Sequence, residues 1–223
     1  MLKLHNVSAR IAGITVLRGI ETAFGPGQLL AVVGRNGAGK TTLLRAIMGL
    51  LPLSAGSITM NGTELTTLPG HRRTEFGIGY APEERVMYPT FTVEENLRLP
   101  CEVLGLAEAE IKRRLERVLE VVPQLEPMLG RSGAALSGGQ GKMAALGRAL
   151  MAGTQLVLLD EPFQGLAPVL ANQYAESLRK LHELDPSLCM VVTESNRSLL
   201  RDLPDATLTL ERGELVEGDT LTH

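Results

Sequence analysis

The residues with the clearest capacity for chemistry form a glycine-rich run behind an apolar segment. Residues 34–41 read Gly-Arg-Asn-Gly-Ala-Gly-Lys-Thr and directly follow the apolar residues 29–33. This is the G-x-x-x-x-G-K-[ST] pattern, in which glycines let backbone N–H groups surround phosphate oxygens and a helix N-terminus adds partial positive charge. The alternative is a glycine-rich turn that only links a strand to a helix. The flanking strand and helix patterns favour a phosphate-binding loop, and we predict that it binds a purine nucleoside triphosphate.

Each residue of the phosphate-binding loop (residues 34–41) has an expected role. Lys40 is expected to reach the β- and γ-phosphates as a point charge, and the Thr41 hydroxyl is expected to bind Mg²⁺. The other nucleotide contacts are expected from Gly34, Arg35, Asn36, Gly37, Ala38, Gly39 and Thr42.

Two adjacent acids follow a second apolar segment. Residues 156–159 are Leu-Val-Leu-Leu, and Asp160, Glu161 and Pro162 come next. A carboxylate at the carboxyl end of a strand lies at the crevice where open α/β sheets bind ligands. We therefore expect Asp160 to hold Mg²⁺ through its water shell and Glu161 to activate a water molecule as general base. The alternative, two acids that cap a turn, is disfavoured by the phosphate-binding loop in the same chain.

A second glycine-rich helix start lies at residues 136–140, which read Leu-Ser-Gly-Gly-Gln. Ser137 is suited to cap the following helix, and Gly138 and Gly139 expose backbone N–H groups beside Gln140, which makes a second anion site. One nucleotide needs only one such cradle. We therefore expect this segment to close over a nucleotide that is held by another subunit.

The elements that position these residues alternate between short apolar strands and amphipathic helices. This alternation predicts an α/β fold around a mostly parallel sheet. Strands are predicted at residues 29–33, 78–81, 156–159, 190–193 and 206–210. Helices are predicted at residues 40–50, 107–122, 139–151, 169–184 and 197–203. Glycine-rich turns at residues 25–27 and 61–62 indicate an antiparallel β layer beside the main sheet.

The distribution of these patterns indicates one domain over residues 1–223. The strand signal disappears between residues 84 and 151 and resumes directly afterwards. We therefore expect a core formed by about residues 1–83 and 152–223, with an inserted helical subdomain at about residues 84–151.

Composition excludes several classes of protein. The 223 residues, 44% of them hydrophobic, are enough for a substantial core without disulfides or metal staples. A net charge of −3 without a basic stripe argues against a nucleic-acid partner. The chain has neither a signal-peptide pattern nor an apolar run of the roughly 18 residues that a membrane span needs, so we expect a cytoplasmic protein. Cys101 and Cys189 lack metal-ligand spacing, so redox and zinc chemistry are not indicated.

Three motifs together resemble the nucleotide-binding subunits of ABC transporters: GRNGAGKT at residues 34–41, LSGGQ at 136–140 and LVLLDEP at 156–162. The resemblance covers essentially the whole chain and implies the P-loop NTPase fold of ABC ATPases. It also implies a head-to-tail dimer in which two ATP molecules lie between the phosphate-binding loop of one subunit and the signature segment (residues 136–140) of the other. The second ATPase subunit is another copy or a paralogue. Transmembrane permease subunits are the implied partners, at the cytoplasmic face of the bacterial inner membrane.

Further stretches resemble the ATPase subunits of branched-chain amino-acid importers and of their urea and short-amide relatives. They are residues 82–85, 91–97, 146–151 and 161–168. By this likeness, Glu83 fills the Q-loop position, which contacts the Mg²⁺ site and senses the membrane partner, and residues 164–166 form the D-loop. The leading hypothesis is the ATP-hydrolysing motor subunit of such an importer.

The stretch from Glu83 to Leu99 is the candidate groove for a coupling helix of the membrane subunit. It includes Tyr88, Pro89 and Phe91, which offer apolar and aromatic surface. The alternative is that these aromatic residues pack the core of the helical subdomain. Within the same stretch, Thr92 and Glu95 fit the capping box of a surface helix.

Two positions depart from the family pattern. A His usually follows the strand at 190–193, where hand alignment puts Ser195, or Glu194 if the alignment shifts by one residue. Serine donates a hydrogen bond but cannot carry imidazolium charge, so we expect slow intrinsic hydrolysis. The family pattern expects an aromatic residue that stacks on adenine, and the alignment puts Ile11 at this position. Because Ile11 cannot stack on the base, we expect weak discrimination between ATP and GTP.

These departures leave a second hypothesis open. In it, the chain is a nucleotide-gated binding or assembly module in which ATP mainly drives dimer closure and a more active paralogue completes the stronger site. The intact Glu161 opposes this hypothesis. A third class, ABC proteins of repair or translation, normally carries two cassettes or long inserts in one chain, and this chain has neither.

Overall fold

Strands and helices alternate along the described parts of the chain in a computed structural model, which describes residues 2–84, 87–200 and 202–216. The strands are β1 (Leu2–Ile11), β2 (Ile14–Phe24), β3 (Leu29–Val33), β4 (Leu53–Met60), β5 (Thr63–Glu64), β6 (Ile78–Ala81), β7 (Leu156–Asp160), β8 (Cys189–Glu194), β9 (Ala206–Glu211) and β10 (Glu214–Leu215). The α-helices are α1 (Lys40–Ile47), α2 (Gly70–Arg73), α3 (Val93–Val103), α4 (Glu108–Val121), α5 (Gly138–Ala152) and α6 (Pro168–Leu184). Within these ranges, no helix is long and apolar enough to cross a bilayer.

The strands form two sheets of different type. One has the order β10-β9-β3-β8-β7-β6 and is parallel except for the edge pair of β9 and β10. The other has the order β2-β1-β4-β5 and is antiparallel throughout. This confirms the predicted α/β fold with a mostly parallel core sheet and an N-terminal antiparallel layer.

The parallel sheet is buried on both faces, which explains why β3 is a continuous apolar run. Leu29, Ala31 and Val33 belong to a core shared with α3 to α6. Leu30 and Val32 point the other way, into a core shared with α1 and the antiparallel sheet. The central strands therefore form a rigid base for the loops that follow them.

A buried arginine binds the C-terminus of α1, the helix that follows the phosphate-binding loop. Arg73 of α2 is 1% exposed, and its Nη1 donates to the carbonyls of Ala46 (2.8 Å) and Ile47 (2.6 Å). These carbonyls lie at the C-terminus of α1, where intrahelical donors are lacking, and the Gly49 N–H also donates to the Ala46 carbonyl at 3.1 Å. The guanidinium thus satisfies them and anchors α1 from its far end.

The segment between β6 and β7 is helical, and α5 packs tightly on the parallel sheet. A Cβ at Gly79 of β6 would lie 2.0 Å from the Ala149 carbonyl of α5, so the residue has to be glycine. This contact fixes α5, which begins at the signature segment, against the sheet that carries the phosphate-binding loop. The exact limits of a helical subdomain stay a prediction.

Four of the five predicted helices form within a few residues of their expected bounds, and one prediction fails. Residues 197–203 form only a 3₁₀ turn at Arg197–Leu199, with residue 201 outside the described ranges. The Asn196 side chain caps this turn by accepting from the Ser198 N–H, and Pro204 disfavours a helical conformation at Leu203, which precedes it. Conversely, α3 is a helix that the periodicity did not predict, and it begins at the Thr92 and Glu95 capping box.

Candidate nucleotide-binding site

The predicted site residues follow three neighbouring parallel strands. Because β8 lies between β3 and β7, the loops after these strands meet at the carboxyl edge of the sheet, where α/β proteins bind ligands. A cavity of about 250 Å³ opens there. It is lined by Val16, Asn36, Gly37, Gly39, Lys40, Thr41, Thr42, Glu83, Glu161 and Gln164.

The phosphate-binding loop has the backbone that its glycines permit. Gly37 and Gly39 have φ values of 82° and 112°, in the left-handed region that side chains disfavour. A Cβ on Gly34 would lie 2.3 Å from the Leu210 carbonyl of the neighbouring β9. The loop therefore curls closely against the sheet and leads directly into the N-terminus of α1.

The loop carbonyls and Glu161 hold the Lys40 ammonium. Lys40 Nζ donates to the carbonyls of Gly34 (2.6 Å) and Arg35 (3.2 Å) and pairs with Glu161 Oε1 at 2.9 Å. Lys40 is 4% exposed, so its charge is buried but fully partnered. Gly34 and Arg35 thus position Lys40 through their backbones instead of lining the cavity.

Asp160 is hydrogen-bonded to Thr41 of the cavity lining and accepts hydrogen bonds from three hydroxyl groups. Thr41 Oγ1 and Thr193 Oγ1 donate to Oδ1 at 3.1 and 2.8 Å, and the Tyr80 hydroxyl donates to Oδ2 at 3.2 Å. Burial raises the pKa of Asp160, and these hydrogen bonds oppose the rise. A carboxylate beside a threonine hydroxyl is a hard oxygen donor set that fits Mg²⁺ together with phosphate oxygens. Glu83, the third predicted metal residue, lines the same cavity from the loop after β6.

Tyr80 and Thr193 were not among the predicted site residues. Both are polar residues near the carboxyl ends of strands that flank β7. Each is a polar residue near the end of an otherwise apolar strand, and this sequence pattern could have identified both.

Glu161 contacts one of the two residues that the alignment left open. Its Oε2 accepts from the Ser195 amide at 3.2 Å and from Ser195 Oγ at 3.0 Å. The Glu194 side chain points elsewhere and accepts from the Phe163 N–H at 2.8 Å. The geometry therefore favours Ser195 over Glu194 at the position next to Glu161.

The backbone of Glu161 has an unusual conformation. Its φ is +46°, a left-handed value that costs a non-glycine residue about 1–3 kcal/mol. Its N–H donates to the Thr193 carbonyl and to Thr193 Oγ1, both at 3.1 Å, and its carbonyl accepts from Lys142 Nζ at 2.6 Å. Contacts from β8 and α5 thus hold this strained residue at the cavity.

Glu194 is a buried acid directly behind the site. Its side chain is 0% exposed, and its Oε2 has no hydrogen-bond partner among the described residues. Burial raises its pKa to about 7, the neighbouring Glu161 adds to the rise, and Lys142 and Lys40 oppose it.

Some predicted site residues lie outside the cavity. The signature segment begins α5, with Ser137 Oγ accepting from the Gln140 N–H at 3.4 Å and the Gln140 side chain accepting from the Ser137 N–H at 3.0 Å. Ser137 and Gly138 are exposed. This arrangement leaves the signature segment accessible to another molecule.

Ile11 also lies outside the cavity lining, at the tip of the β1-β2 hairpin. It is 44% exposed and pairs across the hairpin with Ile14, which is 70% exposed. Val16 of the same hairpin lines the cavity instead, and sequence reasoning missed it. Contact between Ile11 and a nucleotide base stays a prediction.

Comparison with known proteins gives matches over nearly the whole chain. The family model described as ABC transporter matches residues 17–164. A probable branched-chain amino acid transport ATP-binding protein, LivF, of Archaeoglobus fulgidus is 32% identical over 220 residues, which cover 99% of this chain and 92% of the relative. The high-affinity branched-chain amino acid transport ATP-binding protein BraG of Pseudomonas aeruginosa is 34% identical over 220 residues, with 99% and 93% covered.

Solved structures and other relatives agree with these matches. A structure of an ATP binding subunit of an ABC transporter superposes with a TM-score of 0.83 at 29% identity and covers 96% of this chain and 88% of that one. Relatives named for sulfate/thiosulfate and for maltose/maltodextrin import also match. The likeness therefore extends over relatives with several different transported solutes.

Proposed function

Because the chain belongs to the ABC transporter family of ATPases, we propose that it is the ATP-hydrolysing subunit of an importer of branched-chain amino acids. The observation that carries the ATPase role is the buried Lys40–Glu161 pair beside Ser195 at the carboxyl edge of the sheet. The cargo is inferred from the two relatives that match 99% of the chain and are both named for branched-chain amino acid transport. Urea and short amides are the related cargoes against which the proposal is tested.

Each of the site residues has its own role in binding or hydrolysing ATP. Lys40 and the N–H groups of the phosphate-binding loop hold the phosphates, and Glu161 accepts the proton of the attacking water. Ser195 donates to the Glu161 carboxylate and orients it. Thr41 and Asp160, with Glu83 nearby, hold Mg²⁺, which supplies positive charge to the phosphates when bound.

The cavity has the size of a partial site. At about 250 Å³ it is smaller than the roughly 300–1,000 Å³ of complete ligand pockets. Cassettes of this family work as dimers with transmembrane components. In our proposal, the signature segment of a second subunit, a copy or a paralogue, closes over the nucleotide with its exposed Ser137 and Gly138.

The aromatic residues after β6 support a membrane partner. Tyr88 and Phe91 are 49% and 38% exposed, and their ring centroids lie 5.5 Å apart. They contact each other at the surface and belong to neither hydrophobic core. We assign this surface to a coupling helix of a permease at the cytoplasmic face of the bacterial inner membrane. Residues 85 and 86 of the candidate groove lie outside the described residues.

Uptake measurements test the cargo. The gene is disrupted in its source organism, and uptake of labelled leucine, isoleucine and valine is compared with uptake of urea, a short amide and sulfate. The proposal expects that only branched-chain amino-acid uptake is lost and that the wild-type gene restores it, while a Glu161→Gln gene does not. Unchanged leucine, isoleucine and valine uptake in the disrupted strain would contradict the cargo.

A second candidate function is a nucleotide-gated module with weak hydrolysis that pairs with a more active paralogue. The observation that favours it is the Ser195 hydroxyl at 3.0 Å from Glu161, where an imidazole is usual in the family. Light scattering with and without ATP, run beside a turnover assay, separates the candidates. ATP-dependent dimerisation without turnover supports the module, and turnover by the isolated chain supports the motor.

A further inference from the structure

A lysine joins the signature helix to the loop that carries the catalytic glutamate. Lys142 lies in the second turn of α5, and its Nζ donates to the Glu161 carbonyl at 2.6 Å. It does not line the nucleotide cavity. The hydrogen bond to the Glu161 carbonyl lets Lys142 act on the reaction through the backbone of that residue.

Glu161 needs external support, since its φ of +46° is disfavoured for a side chain. Thr193 of β8 binds the Glu161 N–H, and Glu194 binds the Phe163 N–H two residues later. Lys142 binds the Glu161 carbonyl from a different element, α5. The backbone of Glu161 is thus held at its N–H by β8 and at its carbonyl by α5.

We propose that Lys142 is a positioning residue that fixes the Glu161 peptide and so ties the geometry of the base to α5. This rests on the proposed role of Glu161 as general base. An ammonium donor makes a stronger hydrogen bond to a carbonyl than a neutral donor does, and its flexible stem spans the gap between helix and loop. Because α5 also begins with the signature segment, a shift of α5 moves the base.

Lys142→Met and Lys142→Arg test this role, with Lys180→Met as the matched control. Lys180 Nζ donates to the Glu120 carbonyl at 2.8 Å, the same kind of contact, between α6 and α4 at the surface. Turnover of radiolabelled ATP gives kcat and KM, binding of a fluorescent ATP analogue gives Kd, and thermal melting reports folding.

We expect Lys142→Met to lower turnover without changing the binding of ATP. Lys142→Met lowers kcat on the order of 10- to 100-fold, the size of effect that a misplaced catalytic group produces. KM, Kd and the melting temperature stay close to wild type, Lys142→Arg recovers most of the kcat, and Lys180→Met behaves as wild type.

Several results would overturn the role of Lys142. They are a kcat within twofold of wild type in Lys142→Met, a parallel loss of kcat, binding and melting temperature, or an Arg variant no better than Met. Glu161→Gln separates this failure from failure of the proposed function. Full turnover in Glu161→Gln refutes the base itself, whereas lost turnover in Glu161→Gln with normal turnover in Lys142→Met refutes only Lys142.

Discussion

The buried acid Glu194 adds a pH-dependent contribution to the stability of the protein, and Glu194→Gln should remove that contribution. The carboxyl is 0% exposed, and burial raises its pKa from 4.5 to about 7. The Glu161 carboxylate adds to the rise, while the Phe163 N–H, Lys142 and Lys40 oppose it. The amide of the variant keeps an oxygen acceptor for the Phe163 N–H but does not titrate.

The size and sign of this pH dependence follow from the pKa values of Glu194 in the unfolded and the folded chain. Between pH 4.5 and about 7, the folded chain holds a proton at Glu194 that the unfolded chain has lost. Stability therefore falls as pH rises through this window, by about 1.4 kcal/mol per pH unit. Above pH 7 the loss is complete and amounts to roughly 3 kcal/mol for the wholly buried group.

Urea unfolding of wild type and Glu194→Gln between pH 4.5 and pH 8 measures this difference. The new amide N–H₂ adds a cost that does not depend on pH, so the change of the difference with pH is the test. We expect the free energy of unfolding to shift in favour of the variant by roughly 3 kcal/mol across the range. Glu116→Gln, at an exposed position of α4, is the control and should show no such shift. A shift below about 1.4 kcal/mol, one pKa unit, would refute the reasoning.

Three further substitutions test other parts of the structure. Ser195→His should raise kcat at least about tenfold, or about 1.4 kcal/mol, because an imidazole can carry charge, and equal ATPase rates would contradict this. Ile11→Tyr should raise the preference for ATP over GTP by about 0.5–1.5 kcal/mol in a binding titration through stacking, and an already strong preference in wild type would refute the premise. Arg73→Met should lower the free energy of unfolding by about 1–3 kcal/mol in urea, since it removes the guanidinium donor from the Ile47 carbonyl and leaves the Ala46 carbonyl with only the Gly49 N–H, and a loss under about 1 kcal/mol would count against that role.

The elements that sequence reasoning predicted well are those whose burial is uniform. β3 and β7 are buried along their whole length and so read as short apolar runs between turn signals. In α3, Pro100 interrupts the helical pattern, and a proline inside a helix lacks an N–H donor. The helix forms because Val93, Leu97 and Cys101, which lie four residues apart, share one buried face, and their packing outweighs the effect of the proline.

The site residues are likewise of two kinds: those that a contiguous sequence motif reveals and those that only the fold brings together. The phosphate-binding loop and the Asp160–Glu161 pair are contiguous motifs whose chemistry can be inferred from residue type and spacing. Tyr80, Thr193 and Lys142 act through hydrogen bonds from other elements. Those contacts depend on the strand order and on the packing of α5, and periodicity predicts neither.

The most direct test of the account is steady-state ATP hydrolysis by the purified chain with Mg²⁺, beside Glu161→Gln, with dimer formation followed by light scattering. We predict measurable turnover by wild type and a loss on the order of 10²–10⁴-fold in Glu161→Gln, the usual contribution of a general base. The variant should still bind ATP and dimerise. Equal turnover by both proteins, or ATP-driven dimerisation of wild type with no turnover, would contradict the central claim that Glu161 makes this chain a self-sufficient motor.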